Sequence, residues 1–420
     1  MNDSDGTTSH ASAKDEETTG KVNYEAGDAR RDDDTSASNS SSAIVGLSID
    51  GPKVLKPADE NVGAENGKDV DASTSNPPSS VVPVIAGHYN AIEPKGLEAR
   101  SKSRIFYMRN FNNWIKSVTI AKYLTQIQHK KRYGDPVKVL DLGCGKGGDL
   151  IKWKVGRITH LLCADVAETS IEQCKERYSD MMSRNDGRRG PPCMYTAEFI
   201  HADCTKERLR SKYKDPSIKL DLVSCQFAFH YCFESLQQAD MMVRNAAESL
   251  SIGGFFIGTI PDANEIVKRL TLSDANGFGN SVYNVTFECP TEPLSSIPLF
   301  GAKYYFHLEE VVSCPEFLVH FPTFVRLAER HGLKLVSKQS FAEIYKENCT
   351  SSRFLLQKMT ALETYPPMKG YDLLGDPDYS YAHAKSFLSE QQRSDSVGTL
   401  SKDEWEASSV YLAFAFQKVG

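Results

Sequence analysis

Residues 139–150, VLDLGCGKGGDL, join an apolar run to a charged, helix-like stretch through four glycines in six positions: Gly143, Gly145, Gly147 and Gly148. A turn this rich in glycine lets backbone bend, or a ligand approach it, in ways that side chains forbid, and here it falls where a strand hands over to a helix. The same handover recurs downstream. VKVLDLGC (137–144), HLLCADV (160–166), AEFIHADC (197–204), LDLVSCQFAFHY (220–231) and GGFFIGTIP (253–261) read as short buried strands with polar carboxyl ends. ETSIEQCKERYSDMMSR and SLQQADMMVRNAAESL, between them, read as helices. This alternation predicts an α/β Rossmann-like fold, a mostly parallel sheet with helices on both faces. LKLVSKQSF (333–341) and VYLAFAFQKV (410–419) bring the sheet to seven strands. Residues 262–325 and 345–400 interrupt the rhythm with Pro, aromatic and polar residues and are expected as insertions near the strand ends, where binding surfaces form.

The first 80 of the 420 residues contain no Phe or Trp and a single Tyr, and carry 16 acidic against 7 basic side chains. Such a segment cannot bury enough apolar surface to fold, so residues 1–85 are expected to be a disordered acidic region and 86–420 the folded domain. With a chain total of −6, everything after residue 80 is mildly basic at +3. Its cations cluster at Lys102 and Arg104, at Lys130, Lys131 and Arg132, and at Lys146, Lys152, Lys154 and Arg157, which suits an anionic partner. The ten cysteines form no CxxC pair and no Cys/His zinc spacing, and several lie in apolar strands. They read as free thiols of a reducing compartment, with no metal expected. No apolar leader opens the sequence and no stretch approaches 18 apolar residues, so no membrane partner is expected.

Gly143, Gly145 and Gly148 satisfy G-x-G-x-x-G, a weak signature alone. A phosphate-binding P-loop needs Ser or Thr directly after its lysine, whereas Lys146 is followed by Gly147. Asp165 closes the second strand at about the spacing where an acid meets ribose hydroxyls, which leaves a dinucleotide open. Three further features favour S-adenosylmethionine. Asp141 sits in LDLG, where a carboxylate can organise the glycine loop and a methionine-like amino group. Asp203 ends the third strand, placed to accept from an adenine amino group, and Gln226, His230 and Tyr231 end the fourth beside the expected reactive centre. Each has a plainer reading too: Asp165 and Asp203 as helix caps, His230 as a core histidine, Phe227 and Phe229 as strand packing.

LDLGCGKGGDL together with RNFNNWIKS (109–117), CQFAFHY (225–231), PEFLVHFP (315–322) and VYLAFAF (410–416) closely resembles the eukaryotic mRNA cap guanine-N7 methyltransferases, over about residues 86–420. The resemblance implies a Rossmann-like S-adenosylmethionine-dependent methyltransferase with an inserted lobe. It would act on the N7 of the guanosine in the 5′ GpppN cap, completing cap 0. It implies cofactor contacts from Lys116, Asp141, Gly143, Gly145, Asp165, Asp203, Gln226 and Tyr231. Asn112, Asn113, Lys146, Lys152, Arg177, His230, Glu316 and Tyr411 fall at positions that contact or border the cap, with Tyr231, His230, Glu316 and Tyr411 positioning the base. Capped pre-mRNA as substrate, a nuclear location and a monomeric catalytic domain follow as expectations. So do a small activating subunit on the inserted lobe and a link to RNA polymerase II or the capping machinery. Two features are this chain's own: an acidic N-terminus where animal relatives carry basic runs, and about four extra residues around NDGRRGPP (185–192). A small-molecule methyltransferase would share the loop and the acids but not FNNW or PEFLV. An inert cofactor-binding scaffold and a nicotinamide dehydrogenase are the other two readings.

Overall fold

The computed structural model describes residues 43–44, 80–91, 100–183, 195–288, 297–390 and 395–420. The rest of the acidic segment and the NDGRRGPP loop lie outside these residues, apart from Ala43–Ile44 and the stretch from Ser80. In chain order the strands are β1 (Ala43–Ile44), β2 (Lys138–Leu142), β3 (His160–Asp165), β4 (Thr196–His201), β5 (Leu220–Gln226), β6 (Leu250–Pro261), β7 (Gly277–Gly279), β8 (Tyr283–Phe287), β9 (Lys303–Leu308), β10 (Val312–Phe317), β11 (Leu333–Ser340), β12 (Glu363–Tyr365), β13 (Val397–Thr399) and β14 (Tyr411–Lys418).

Seven of these form the central sheet in the order β11-β14-β6-β5-β2-β3-β4. β2 to β6 run parallel, and β14 is antiparallel to both β6 and β11. β2, β3 and β4 are laid down in one direction, and the chain then crosses back to place β5 on the other side of β2. The sheet therefore reverses its winding between β2 and β5, and in a doubly wound sheet a ligand crevice opens at the carboxyl ends of such a pair. The glycine turn leaves β2 at that point.

One face of the sheet is closed by interleaved aromatic rings, with Phe229 4.3 Å from Phe324, and Phe256 and Phe414 packed edge to face at 5.2 Å. Helix Phe106–Lys130 covers the other. Its buried residues, Met108, Phe111, Ile115, Thr119, Tyr123, Leu124 and Ile127 among them, recur at three- and four-residue intervals. Tyr123 in its second half meets Phe255 of β6, whereas Phe111 in its first half packs on Trp405 and Tyr345 outside the sheet. Each such ring, fully buried, contributes about 2–3 kcal/mol. The start of the helix is held by Glu404, which accepts from the Met108 backbone N–H at 3.1 Å and faces the Arg104 guanidinium at 3.6 Å.

The first expected insertion holds a four-stranded antiparallel sheet, β10-β9-β8-β7, and the second supplies β12 and β13 of a smaller sheet, β1-β13-β12, whose edge strand β1 comes from the acidic segment expected to be disordered. Helix Val82–Ala91 spans the boundary expected at residue 86: Val82 and Ile85 are buried, and Glu234 accepts from the Val81 backbone N–H and the Ser80 hydroxyl, both at 2.8 Å. Ordered packing thus begins upstream of 86. The fourth strand is shorter than expected, ending at Gln226, because Phe227 takes a left-handed conformation (φ 57°) and Phe229–Glu234 then forms a 3₁₀ turn. Among the described residues no helix is long and apolar enough to cross a membrane.

Candidate active site

The turn after β2 depends on glycine for two reasons. Gly143, Gly145 and Gly147 all have positive φ, at 66°, 50° and 75°. At Gly143 an added Cβ would lie 2.6 Å from Ala228 Cβ, and at Gly147 2.6 Å from Leu150 Cδ1 and 2.9 Å from Cys174 Sγ. At Gly145, by contrast, nothing lies within 4 Å of that position. Two glycines are pressed into the protein, and the middle one opens outward. Asp165 fixes this shape: one carboxylate oxygen accepts from the Gly145 backbone N–H at 2.8 Å and the other from Ala167 N–H at 2.9 Å. Burial raises its pKa, and those two donors oppose the rise. A residue expected at the ligand is thus also the clamp of the loop, with lone pairs remaining on each oxygen.

Other expected donor residues also have partners within the protein. Asp141 is buried and accepts from Trp153 Nε1 at 3.1 Å; burial, reinforced by Asp149, holds its carboxyl well above the usual range. Asp203 accepts from the Thr205 backbone N–H at 3.0 Å and hydroxyl at 2.6 Å through one oxygen, closing a turn rather than capping a helix, since the next helical element is the 3₁₀ turn Leu209–Lys212 after Arg208; the other oxygen faces Lys206 at 3.4 Å. Gln226 is held by Ser224 and Thr259.

Beside the turn, sequence reasoning missed the central acid. Asp149 receives both Lys116 and Lys152 at 2.8 Å, and Lys152 also donates to Asn113 Oδ1 at 2.5 Å. Burial alone would raise the Asp149 carboxyl, but the two ammonium groups override it and hold it well below the ordinary carboxylate range. Lys152, expected to face phosphate, has a side chain only 10 % exposed and is committed to this network. Asn113 is committed with it, and Asn112 accepts from Ser408 at 3.4 Å. These groups brace the loop from behind. Lys146, in the turn itself, lies within electrostatic reach of Arg177 and Arg100. Burial, then the like charges of Arg100 and Arg177, push the Lys146 ammonium down, the electrostatic signature of a cluster that favours an anion. Arg100 was not among the expected residues, although it adjoins the Lys102/Arg104 cluster.

Across the crevice the inserted sheet supplies Glu316 on β10. Its carboxylate accepts from the Tyr304 hydroxyl at 2.8 Å and lies 3.3 Å from His230 Nε2. The left-handed turn at Phe227 carries His230 and Tyr231 to this place; a non-glycine residue with positive φ at a strand end is the sort of strain that accompanies a functional site. The Tyr231 hydroxyl lies 3.1 Å from Tyr89 of helix Val82–Ala91 and 3.4 Å from Cys314. Tyr411 stacks on Phe341 at 5.6 Å and meets the edge of Phe227 at 5.1 Å. Burial and then Glu316 keep the Tyr411 phenol protonated, and burial with Tyr89 and Glu316 does the same for Tyr231. The recess is therefore aromatic, with one central carboxylate. Phe229 faces the core as expected, whereas half-buried Phe227 belongs to the recess wall. Tyr89, in GHYN just after the acidic segment, was missed; its phenol is raised by burial and feels both Glu316 and Asp165, so it stands between the glycine turn and the recess.

The model of the mRNA (guanine-N(7))-methyltransferase domain matches residues 73–419. Among similar proteins, the mRNA cap guanine-N(7) methyltransferase of Drosophila melanogaster is 55 % identical over 337 residues, covering 80 % of this chain and 77 % of that one. The protein of the same name in Caenorhabditis elegans is 44 % identical, covering 80 % and 86 % of the two chains. The mRNA cap guanine-N(7) methyltransferase 1 of Oryza sativa subsp. japonica is 39 % identical, covering 80 % and 81 %. With its glycine turn, aromatic recess and FNNW helix in one domain, and a family match over most of its length, the chain belongs to the mRNA (guanine-N(7))-methyltransferase family.

Proposed function

We propose that the chain transfers the methyl group of S-adenosylmethionine to N7 of the cap guanosine in GpppN-ended RNA, with the donor on the glycine turn and guanine in the aromatic recess. One observation carries the reading: the Tyr89 hydroxyl lies 3.1 Å from that of Tyr231, which in turn lies 3.4 Å from Cys314 of the inserted sheet, so the end of β5 next to the glycine turn faces that sheet. The turn suits the donor because the backbone at Gly145 is open where a side chain would start, while Asp165 and Gln226 end the neighbouring strands with polar groups. The donor supplies an electrophilic methyl on a sulfonium. Guanine N7 has a free lone pair near neutral pH, so no general base is required. What the protein contributes is placement, and alignment of bound partners can lower a barrier by several kcal/mol. Glu316 accepts from the Watson–Crick edge of guanine and opposes the positive charge that grows on the purine; the buried phenols of Tyr231 and Tyr411 stay neutral beside it. Lys146, Arg177 and Arg100 meet the triphosphate.

The remaining expectations belong to the same proposal: Lys116, Asp141, Gly143 and Asp203 shape or border the donor cradle, and Asn112, Asn113 and Lys152 brace the loop near the cap. The chain works in the nucleus on capped pre-mRNA as a monomeric catalytic domain, with the inserted lobe open to a small activating subunit. The test is incorporation of labelled methyl into GpppA-capped RNA by the wild type beside Asp203→Ala and Glu316→Ala. N7-methylguanosine from the wild type, lost in both variants, is the expected result. No N7 product despite tight S-adenosylhomocysteine binding would refute the cap assignment while leaving the donor site standing.

A further inference from the structure

Three cysteines that the proposed reaction does not use converge beneath the glycine turn. Cys144 lies in the turn, Cys163 in β3 and Cys174 in helix Glu168–Ser183, and their sulfur atoms all lie within 4.8 Å of one another. All three are buried, Cys163 and Cys174 completely and Cys144 with 8 % exposure. Around them are apolar side chains, including Leu150, Trp153 and Ile171. Positions 144, 163 and 174 form no recognisable ligand spacing, and the cluster exists only because the turn, the strand and the helix meet.

We propose that Cys144, Cys163 and Cys174 form a zinc site with three thiolate ligands and a fourth position open to water or a small exogenous ligand. A zinc–sulfur bond of about 2.3 Å in tetrahedral geometry sets sulfur atoms about 3.8 Å apart, so closing the trio needs movements of about 1 Å or less. On binding, the three thiols release three protons, and three thiolates around Zn²⁺ leave one negative charge. A monovalent ion such as Cu⁺ would leave two in the same apolar surroundings, so the divalent ion suits the site better. Arg177, three residues after Cys174, supplies nearby positive charge, set against the carboxylates of Asp165 and Asp141, which bear on Cys144 and Cys163 and make a divalent ion the better match for the site. Because Cys144 sits between Gly143 and Gly145, a metal here ties the turn to β3 and to the helix behind it.

The experiment takes the full chain, purified with a chelator and a non-thiol reductant, loads it with zinc and dialyses away the excess. The expected result is one zinc retained per chain, with X-ray absorption showing three sulfur neighbours at about 2.3 Å. Cys163→Ser should lower zinc affinity at least a hundredfold, and Cys349→Ser should leave it unchanged. Retention of less than one zinc per chain, or a retained zinc with fewer than three sulfurs, overturns the site. Both of those readings come from the unmodified chain, so they stand even if Cys163→Ser fails to fold. Undiminished affinity in a folded Cys163→Ser protein overturns it as well.

Discussion

Replacing Glu316 with glutamine separates the charge of this side chain from its shape. The carboxylate is buried at 4 % exposure, accepts from Tyr304 at 2.8 Å and lies 3.3 Å from His230 Nε2. Glutamine fills the same space, and its amide oxygen can still accept from Tyr304, so the recess should keep its form. On the proposed reading, the variant loses a charged acceptor for guanine and the negative charge that opposes the developing purinium. A hydrogen bond to a charged group contributes about 1.5–3 kcal/mol, so kcat/KM for GpppA-capped RNA should fall roughly 10- to 150-fold. Affinity for S-adenosylhomocysteine should stay within about twofold of the wild type, because the proposed donor side is built from other residues. A cap in which hypoxanthine replaces guanine lacks the 2-amino donor and sharpens the test. That change should cost the wild-type enzyme more than it costs Glu316→Gln, since in the variant the acceptor is already weakened. Measured initial rates across both caps and both proteins give the coupling directly. A fall of less than threefold on the guanosine cap, or an equal loss of donor affinity, would refute the assignment of Glu316 to the base.

Gly145→Ala and Gly147→Ala should behave differently: the first has open space for its methyl and carries only the strain of φ at 50°, about 1 kcal/mol, so it should fold yet lose S-adenosylhomocysteine affinity in calorimetry. The second meets Leu150 and Cys174 at under 3 Å with φ at 75°, and should lower the free energy of urea unfolding by about 2 kcal/mol or more. Arg100→Ala, Lys146→Ala and Arg177→Ala should each weaken capped-RNA binding and reduce the slope of log K against log salt by roughly 0.7; unchanged slopes would remove that residue from the phosphate contact. Asp149→Asn should cost about 3 kcal/mol at pH 7 by stranding Lys116 and Lys152. The Asp149 pKa is depressed in the folded state, so its contribution is present above the unfolded value of about 3.9 and is lost as pH falls from there. The gap between wild type and variant in urea unfolding should therefore narrow below about pH 4 and stay constant above pH 6.

The strands, their mostly parallel arrangement and the glycine turn were legible because each is written in nearby residues: apolar runs of strand length alternating with helices, then polar ends, then glycines where φ must be positive. Residue types at strand ends were legible for the same reason, but their roles were not, since one side chain can hold the backbone and face a ligand at once. Asp165 shows the difficulty, because clamping Gly145 is how it shapes the surface a donor would touch. Lys152 and Arg100 show a second limit. Both are cations in basic clusters, and only a buried acid three residues from Lys152 distinguishes the brace from the cation within electrostatic reach of Lys146. Asp149 was in plain view at the end of GGDL, yet nothing local indicates that a carboxylate there is buried between two ammonium groups. Tyr89 meets Tyr231 across 142 residues, and the cysteine trio joins a loop, a strand and a helix. Contacts of that kind carry no periodicity and no spacing, because the distance along the chain is set by intervening elements that have no part in them. The site is therefore least readable where it is assembled from the most distant pieces, which is also where an inserted lobe can change the acceptor while the donor turn stays as it is.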